Sequence, residues 1–506
     1  MITLIVWCDL LKSQVPSIDW KKCYGGNSTE IAYSINKTND GGYIIAGGSA
    51  SSKGGLTENY GGLDYWVVKI TANGTIQWQR NYGGSGTDEA YSIQQTYDGG
   101  YIVAGTSNSS DSDITNNHGS DDVWVVKMNA YGSIQWQKSY GGSNIDRAYS
   151  IYQTTDSGFI VAGYTESNNG DISSNHGLYD SWILKITSNG NLQWQKSYGG
   201  TGHDYGYSIL QTTDGGYIFS GTTESTDGDV LGNYGWDDMW VVKLSMNGNL
   251  QWQKCYGGDF TEYGLTTIIP TYDGGYVVSG STWSDNFDAI SNHGLQDLFL
   301  VKINDTGGVK WHRTYGGGNY DFGGSVVQTL DSGYAFVGTS KSYNGQVTGN
   351  HGDYDVWLIK ANSKGNFQWQ KSLGGSNEDD GADILQTSDG GLLILSTTYS
   401  TNGDVTDNNG DTDYWVVKLY GTNAITDLNQ ETISIFPNPT SNLLSISAPK
   451  SKSISVTNSL GQVVFTKILL SSVKFELSTA NWQSGIYLLR FINEDGSVEF
   501  AKLIKE

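Results

Sequence analysis

Residues 136–193 read WQKSYGGSNIDRAYSIYQTTDSGFIVAGYTESNNGDISSNHGLYDSWILKITSNGNLQ, and the same unit recurs along most of the chain. The tryptophan that opens it stands at Trp20, Trp78, Trp136, Trp194, Trp252, Trp311 and Trp369, giving spacings of 58, 58, 58, 58, 59 and 58 residues. Seven copies of a period this long indicate a solenoid or a propeller. The unit has no helical periodicity and contains four strand-like runs, which favours a seven-bladed β-propeller of four strands per blade.

The second copy shows the four runs well. Strand A is AYSIQQT (90–96), B is YIVAGT (101–106), C is VWVVKM (123–128) and D is IQWQKSY (134–140). Asp98-Gly99-Gly100 separates A from B, a hairpin signal because tight turns need positive φ. Asp-Gly-Gly or Asp-Ser-Gly recurs at this point in the other units, beginning with Asn39-Asp40-Gly41-Gly42. B and C are unbroken apolar runs, as expected of strands covered on both faces. D alternates, with Ile134, Trp136 and Tyr140 opposed to Gln135, Gln137 and Ser139, so it reads as the outer, half-exposed edge. A is then innermost and lines the central channel. Pro270 in the fifth A strand agrees, since proline is tolerated where a strand edge is unpaired. The last unit has A (382–388), B (392–397) and C (414–419) but no D, and an unmatched D stands at residues 20–24. The N-terminal strand is therefore expected to complete the seventh blade and close the ring.

Composition agrees with an all-β protein: 68 glycines against 5 prolines, with 33 tyrosines and 17 tryptophans in 506 residues. Glycine suits tight turns and aromatics suit pleated sheets. The net charge of -23 argues against nucleic acid or an anionic membrane as partner. Residues 1–14 are expected to be the end of a signal peptide, and no other stretch approaches the ~20 apolar residues of a transmembrane helix. Cys23 and Cys255 occupy one position in different blades, too far apart for a disulfide, and read as unpaired packing residues.

Strand alternation puts the A–B and C–D turns on one face and the D–A and B–C connections, both expected to be long, on the other. Three features recur in the B–C loops. An aspartate stands two residues before the strand C aromatic in all units: Asp64, Asp122, Asp180, Asp238, Asp297, Asp355 and Asp413. It reads as a structural turn residue that holds backbone N–H groups. An Asn followed by His, Tyr or Asn and then Gly includes His118, His176, His293 and His351. Five residues earlier stand Asp113, Asp171, Asp229, Asp288 and Asp404. Oxygen-rich loops suit calcium, and these five are the candidate ligands, although the D-x-D-x-D spacing of known loops is absent. No other cofactor is expected.

Candidate ligand-binding residues on this face are those four histidines with Tyr60, Tyr179, Trp236, Trp283 and Tyr354, because exposed rings beside Asn and Asp are what saccharide binding uses. The competing reading is that the rings cap the blade cores. No nucleophile elbow, zinc-helix, phosphate-loop or dinucleotide motif is present. Acidic pairs such as Asp379-Asp380 and Asp237-Asp238 would serve a glycosidase or lyase only if placed across a cleft.

Beyond Tyr420 a polar linker (422–432) leads into short alternating strands at 433–506. Phe436-Pro437-Asn438-Pro439, Asn458 to Gln462, Ser484-Gly485-Ile486-Tyr487 and Lys502-Leu503-Ile504-Lys505 follow one another there. This segment resembles the C-terminal sorting domain of the type IX secretion system of Bacteroidetes. The resemblance implies a small β-sandwich handled by that machinery, with the cargo released or anchored at the cell surface. The repeats, with Gln-Thr-x-Asp-Gly-Gly-Tyr and Trp-Val-Val-Lys in register, resemble propeller repeats of bacterial and archaeal surface proteins, which implies fold and little about activity.

The expectation is an exported, monomeric binding or adhesion module for a glycan or surface protein, built on residues 15–421. The alternatives are a carbohydrate-active enzyme on the same scaffold and a purely structural surface protein. Near-identity of the units argues against catalysis, which needs blades that depart from the pattern. The chief departures are in the fifth unit: Phe299 for the strand C tryptophan, Pro270, and one extra residue before Asp273.

Overall fold

The computed structural model describes residues 15–52, 59–421, 434–436, 440–448, 451–458, 462–469, 473–493 and 498–505. The expected signal peptide, the linker and most of the Phe-Pro-Asn-Pro motif lie outside them. The described residues form two compact units, one up to Ala424 and one from Ile425 onward.

The first unit is seven four-stranded antiparallel sheets, each in the order A-B-C-D. In the second blade the strands run Asp88–Gln95, Tyr101–Ser107, Asp122–Met128 and Ile134–Tyr140. Strands therefore begin one or two residues earlier than the apolar runs suggest, because an acidic residue starts A and an aspartate starts C. The seventh sheet takes its outer strand from Ile18–Tyr24, paired antiparallel with Asp413–Leu419, so the chain's first strand closes the ring.

B and C are buried from end to end in the blades, while D is exposed along its first half. Each apolar cluster spans two neighbours. Ile44, Tyr65 and Val67 of the first blade pack with Ile93, Val103 and Trp124 of the second, and Tyr414 and Val416 of the seventh pack with Ile45 and Trp66 of the first. Apolar burial thus holds blade to blade, and it is continuous only because the ring is closed. Cys23 and Cys255 are both free, as expected.

One feature of the loops differs from the sequence reading. The D–A connection is as short as the turns: residues 141–145 against 96–100 and 129–133, while the B–C loop at 108–121 is alone in its length. The D–A chain crosses from rim to channel in an extended glycine pair and needs no more. In the fifth blade the extra residue is absorbed as a wider bulge between Tyr263 and Thr267, where other blades carry a single-residue bulge. Pro270 ends that strand, and Phe299 fills the tryptophan site completely buried.

The second unit is a β-sandwich. One sheet holds three strands (Ser434–Phe436, Leu443–Ala448, Val473–Ser478), and the other holds four (Val463–Ile468, Ser451–Asn458, Gly485–Asn493, Val498–Lys505). Leu444, Ile446, Ile454, Val456, Leu489 and Phe491 form its core.

Candidate functional site

The seven aspartates that open strand C are wholly buried, and one oxygen of each accepts the backbone N–H four residues earlier, as in Tyr60 N to Asp64 at 2.7 Å and His118 N to Asp122 at 2.8 Å. Where that earlier residue is histidine its Nδ1 meets the same oxygen: His118 at 2.7 Å, His176 at 2.5 Å, His293 at 2.6 Å and His351 at 2.9 Å. The histidines thus each serve the turn of their own blade. Asp113, Asp171 and Asp229 accept from the first glycine after the preceding D strand, at 3.4, 3.2 and 3.4 Å. Asp288 and Asp404 approach the equivalent glycines through their backbone N–H groups. Among the described residues no three His, Cys, Asp or Glu side chains come together as a metal site would need.

The acid that opens strand A is a second sevenfold feature, which motif reading missed. Glu30, Asp88, Asp146, Asp204, Glu262, Asp321 and Asp379 each accept the N–H of the second turn glycine at 2.7–2.8 Å. A third is the strand C lysine, which reaches the A–B turn aspartate, as in Lys127 to Asp98 at 2.9 Å and Lys302 to Asp273 at 2.8 Å. These groups build the blade and recur in every one, the strand A acid as Asp or Glu.

The positions that do change converge elsewhere. Immediately before strand C stand Leu63, Asp121, Tyr179, Asp237, Gln296, Tyr354 and Thr412; second in strand A stand Ile31, Glu89, Arg147, Tyr205, Tyr263, Phe322 and Asp380. Both sets flank residues that barely vary, and both lie where the B–C loop meets the start of the next blade's A strand, as the bridges Tyr179 to His203 and Gln296 to Tyr320 show. That is the mouth of the central channel on the long-loop face.

Within the channel is a cavity of about 420 Å³. Tyr33, Tyr91, Tyr149 and Tyr207 from the first four A strands form one wall, with adjacent ring centroids 4.5, 4.8 and 5.1 Å apart. Glu89 accepts from Tyr33 at 3.0 Å and from Tyr91 at 3.1 Å. The rings continue outward through Tyr164, Tyr205, Tyr179 and His203. In the last three blades the tyrosine position is taken by the Leu265-Thr266 bulge, Gly324 and Ala382, and the missing rings make the recess. Asp380 and Asp383 line that side. Burial, reinforced by Glu378, raises Asp380 to about 7, and burial raises Asp383 to about 6. The site therefore offers aromatic faces opposite acidic groups poised near neutrality.

Of the residues picked from sequence, Tyr179 and Tyr354 reach this mouth, and Trp283 packs edge-on to its Tyr320 at 5.6 Å. Trp236 is 76% exposed and Tyr60 42% exposed, both on the loop surface. The tyrosine wall and Asp383 were missed. The signal was present: aligning the units at strand A gives Tyr-Ser four times, then Thr-Thr, Gly-Ser and Ala-Asp.

Residues 434–506 match the family described as the secretion system C-terminal sorting domain. No curated protein matches the chain. Among solved structures it is similar to the extracellular domain of a one-component system of B. thetaiotaomicron, with 13% identity, TM-score 0.33, 94% of this chain and 69% of that one covered. It is also similar to the Pan2 WD40 domain of Neurospora crassa, with 10% identity, TM-score 0.42 and coverage of 77% and 89%. A third likeness is to an ulvan lyase of a polysaccharide lyase family, with 10% identity, TM-score 0.45 and coverage of 79% and 96%. No helix among the described residues is long and apolar enough to cross a membrane. The chain is a seven-bladed β-propeller joined to a C-terminal sorting domain of the type IX secretion system, which marks it for export to the cell surface or the medium.

Proposed function

We propose that the exported propeller is a binding module that takes a saccharide at the channel mouth on its long-loop face. The observation that carries this reading is the divergence of the blades: seven units that agree almost everywhere differ around the mouth, where Phe322 and Asp380 line the cavity, and again in the last three blades where Leu265-Thr266, Gly324 and Ala382 replace the wall tyrosine. Architecture requires repetition and gains nothing from variation at those positions, whereas a ligand without sevenfold symmetry needs it. Tyrosine faces beside carboxyl and hydroxyl groups suit a polyhydroxylated ring, which presents apolar C–H faces and a rim of hydroxyls.

The test is a broad glycan array probed with the purified chain, with calcium and again with chelator. Specific signals lost in Tyr179→Ala or Tyr205→Ala and kept in Trp236→Ala are expected. Loss in Trp236→Ala alone would move the site to the loop surface, and a blank array would overturn the saccharide reading. A catalytic use of the same mouth has one observation in its favour, the near-neutral Asp380 facing the aromatic wall, since a general acid works best there. Release of reducing ends from an array-positive glycan, abolished in Asp380→Asn, would establish it.

A further inference from the structure

We infer that the ligand of this mouth carries a protonated amine, which seats in the channel between the tyrosine wall and the carboxyl groups of Asp380 and Asp383, so that the saccharide is an aminated one. This rests on the binding reading above and narrows its ligand.

Three observations lead there. The first is that the other blades do without a carboxylate at the position of Asp383. At its position the other blades carry Ser34, Ser92, Ser150, Ser208, Thr267 and Ser325. The serine hydroxyl already accepts the next blade's strand A N–H, as in Ile151 N to Ser92 at 3.2 Å and Ile209 N to Ser150 at 3.2 Å. Asp383 makes the same bond, from Ile35 N at 2.9 Å, and its other oxygen accepts from Ser325 Oγ at 2.7 Å and Ile384 N at 2.8 Å. A carboxylate at that place adds a desolvation cost that a hydroxyl avoids. Its remaining consequence is negative charge in the cavity.

The second observation is that this charge has no protein counter-ion. The basic side chains described at this end of the channel are already paired, Arg147 with Asp121 at 2.5 Å and Lys341 with Asp353 at 2.6 Å. No ion pair among the described residues involves Asp380 or Asp383, and Glu378 adds negative charge beside Asp380. The upward displacement of both carboxyl groups is what such a site produces. An anionic sugar is repelled here, and a neutral one does not repay the charge.

The third is the opposite wall. Tyr33, Tyr91, Tyr149 and Tyr207 line the cavity, and the negative side of a ring quadrupole attracts a cation seated against that wall. A compact ammonium fits the recess left by Gly324 and Ala382.

The test is isothermal titration of the full chain with a glucosamine oligomer and with its N-acetylated counterpart of equal length. The amine form is expected to bind about tenfold tighter or better. That preference is expected to fall in Asp383→Ser, which installs the residue five other blades carry and so spares the fold, and in Asp380→Asn. Equal affinity for the two oligomers, or a preference unchanged in both variants, overturns the amine and leaves the saccharide reading standing. Failure of both oligomers to bind overturns the amine, and the saccharide reading then stands or falls on the array.

Discussion

Every blade opens strand C with an aspartate that has one oxygen bonded to a turn N–H and the other buried with no hydrogen-bond partner: Asp64, Asp122, Asp180, Asp238, Asp297, Asp355 and Asp413. Seven orphans at one position have one cause. A methyl group at Gly83 would lie 2.4 Å from Asp64 Oδ1 and 2.7 Å from Asp88 Oδ2, so two carboxyl groups converge on that glycine and exclude any side chain. Crowding and burial favour the neutral form. Burial, with the neighbouring acids adding to it, raises Asp64 to about 7 and Asp238 to about 8, and Asp413 stands at about 6. A carboxyl whose folded pKa exceeds its unfolded value contributes stability at low pH that is lost as pH rises through the folded value. The melting temperature is therefore expected to fall as pH rises from about 4, the unfolded carboxyl value, to about 8. The A–B turn aspartates act oppositely: the Lys302 ammonium and the Thr271 hydroxyl hold Asp273 at about 2, so its contribution is lost as pH drops towards that value. Thermal melts across pH should show a maximum in the mildly acidic range, and a monotonic rise from acid to alkali would contradict the account. Asp238→Asn is expected to flatten the alkaline limb with little loss. Asp238→Ala, which strands the Tyr234 N–H, should cost about 1–3 kcal/mol in a denaturant titration.

The outer strand carries the contact that joins one blade to the next. Its tyrosine donates to the carbonyl of the next blade's C–D turn glycine, as Tyr24 does to Gly74 at 2.7 Å and Tyr140 to Gly190 at 2.5 Å. Its tryptophan covers the same glycine, and a Cβ on Gly74 would stand 2.9 Å from Trp20. Gly74 has φ of 75°, so glycine is required there for backbone and for space. The sixth blade has Leu373 in place of the tyrosine, and the reason is topological: the seventh blade takes its D strand from the N-terminus, so no C–D turn follows to accept the bond. Deleting residues 15–26 removes both the last strand and the latch to the first blade, and should lower the melting temperature substantially. Adding that segment as a peptide should restore part of the loss. Trp20→Ala is expected to cost about 3 kcal/mol, while an unchanged melt in the deletion would refute closure by this strand.

The whole molecule separates into a propeller and a sandwich with their own cores. Truncation after residue 424 is therefore expected to leave the propeller's melt and its ligand binding intact while abolishing export in a host that has the secretion machinery. Binding lost on truncation would mean that the sandwich contributes to the site. At this scale sevenfold repetition and functional asymmetry coexist because they occupy different surfaces. Blade faces must match their neighbours and are uniform, while the mouth positions meet the next blade only at its edge, as Arg147 pairs with Asp121, and are free to differ, as Ile31, Arg147 and Asp380 do at one position.

Period, strand count, strand order, the inner place of strand A and the closing role of the first strand were all legible in the chain, because each follows from local rules: turn glycines, alternation, and a unit that lacks one strand. The bond that each strand C aspartate makes reaches a backbone N–H only four positions away, a relation contained within a single unit. What only the tertiary structure decided was the site. Tyr33, Tyr149, Asp380 and Asp383 are separated by more than a hundred residues in places, and although their positions in the repeat can be aligned, they meet only because the ring brings seven equivalent positions around one axis. A side chain's neighbours across that axis depend on closure, which no local pattern encodes.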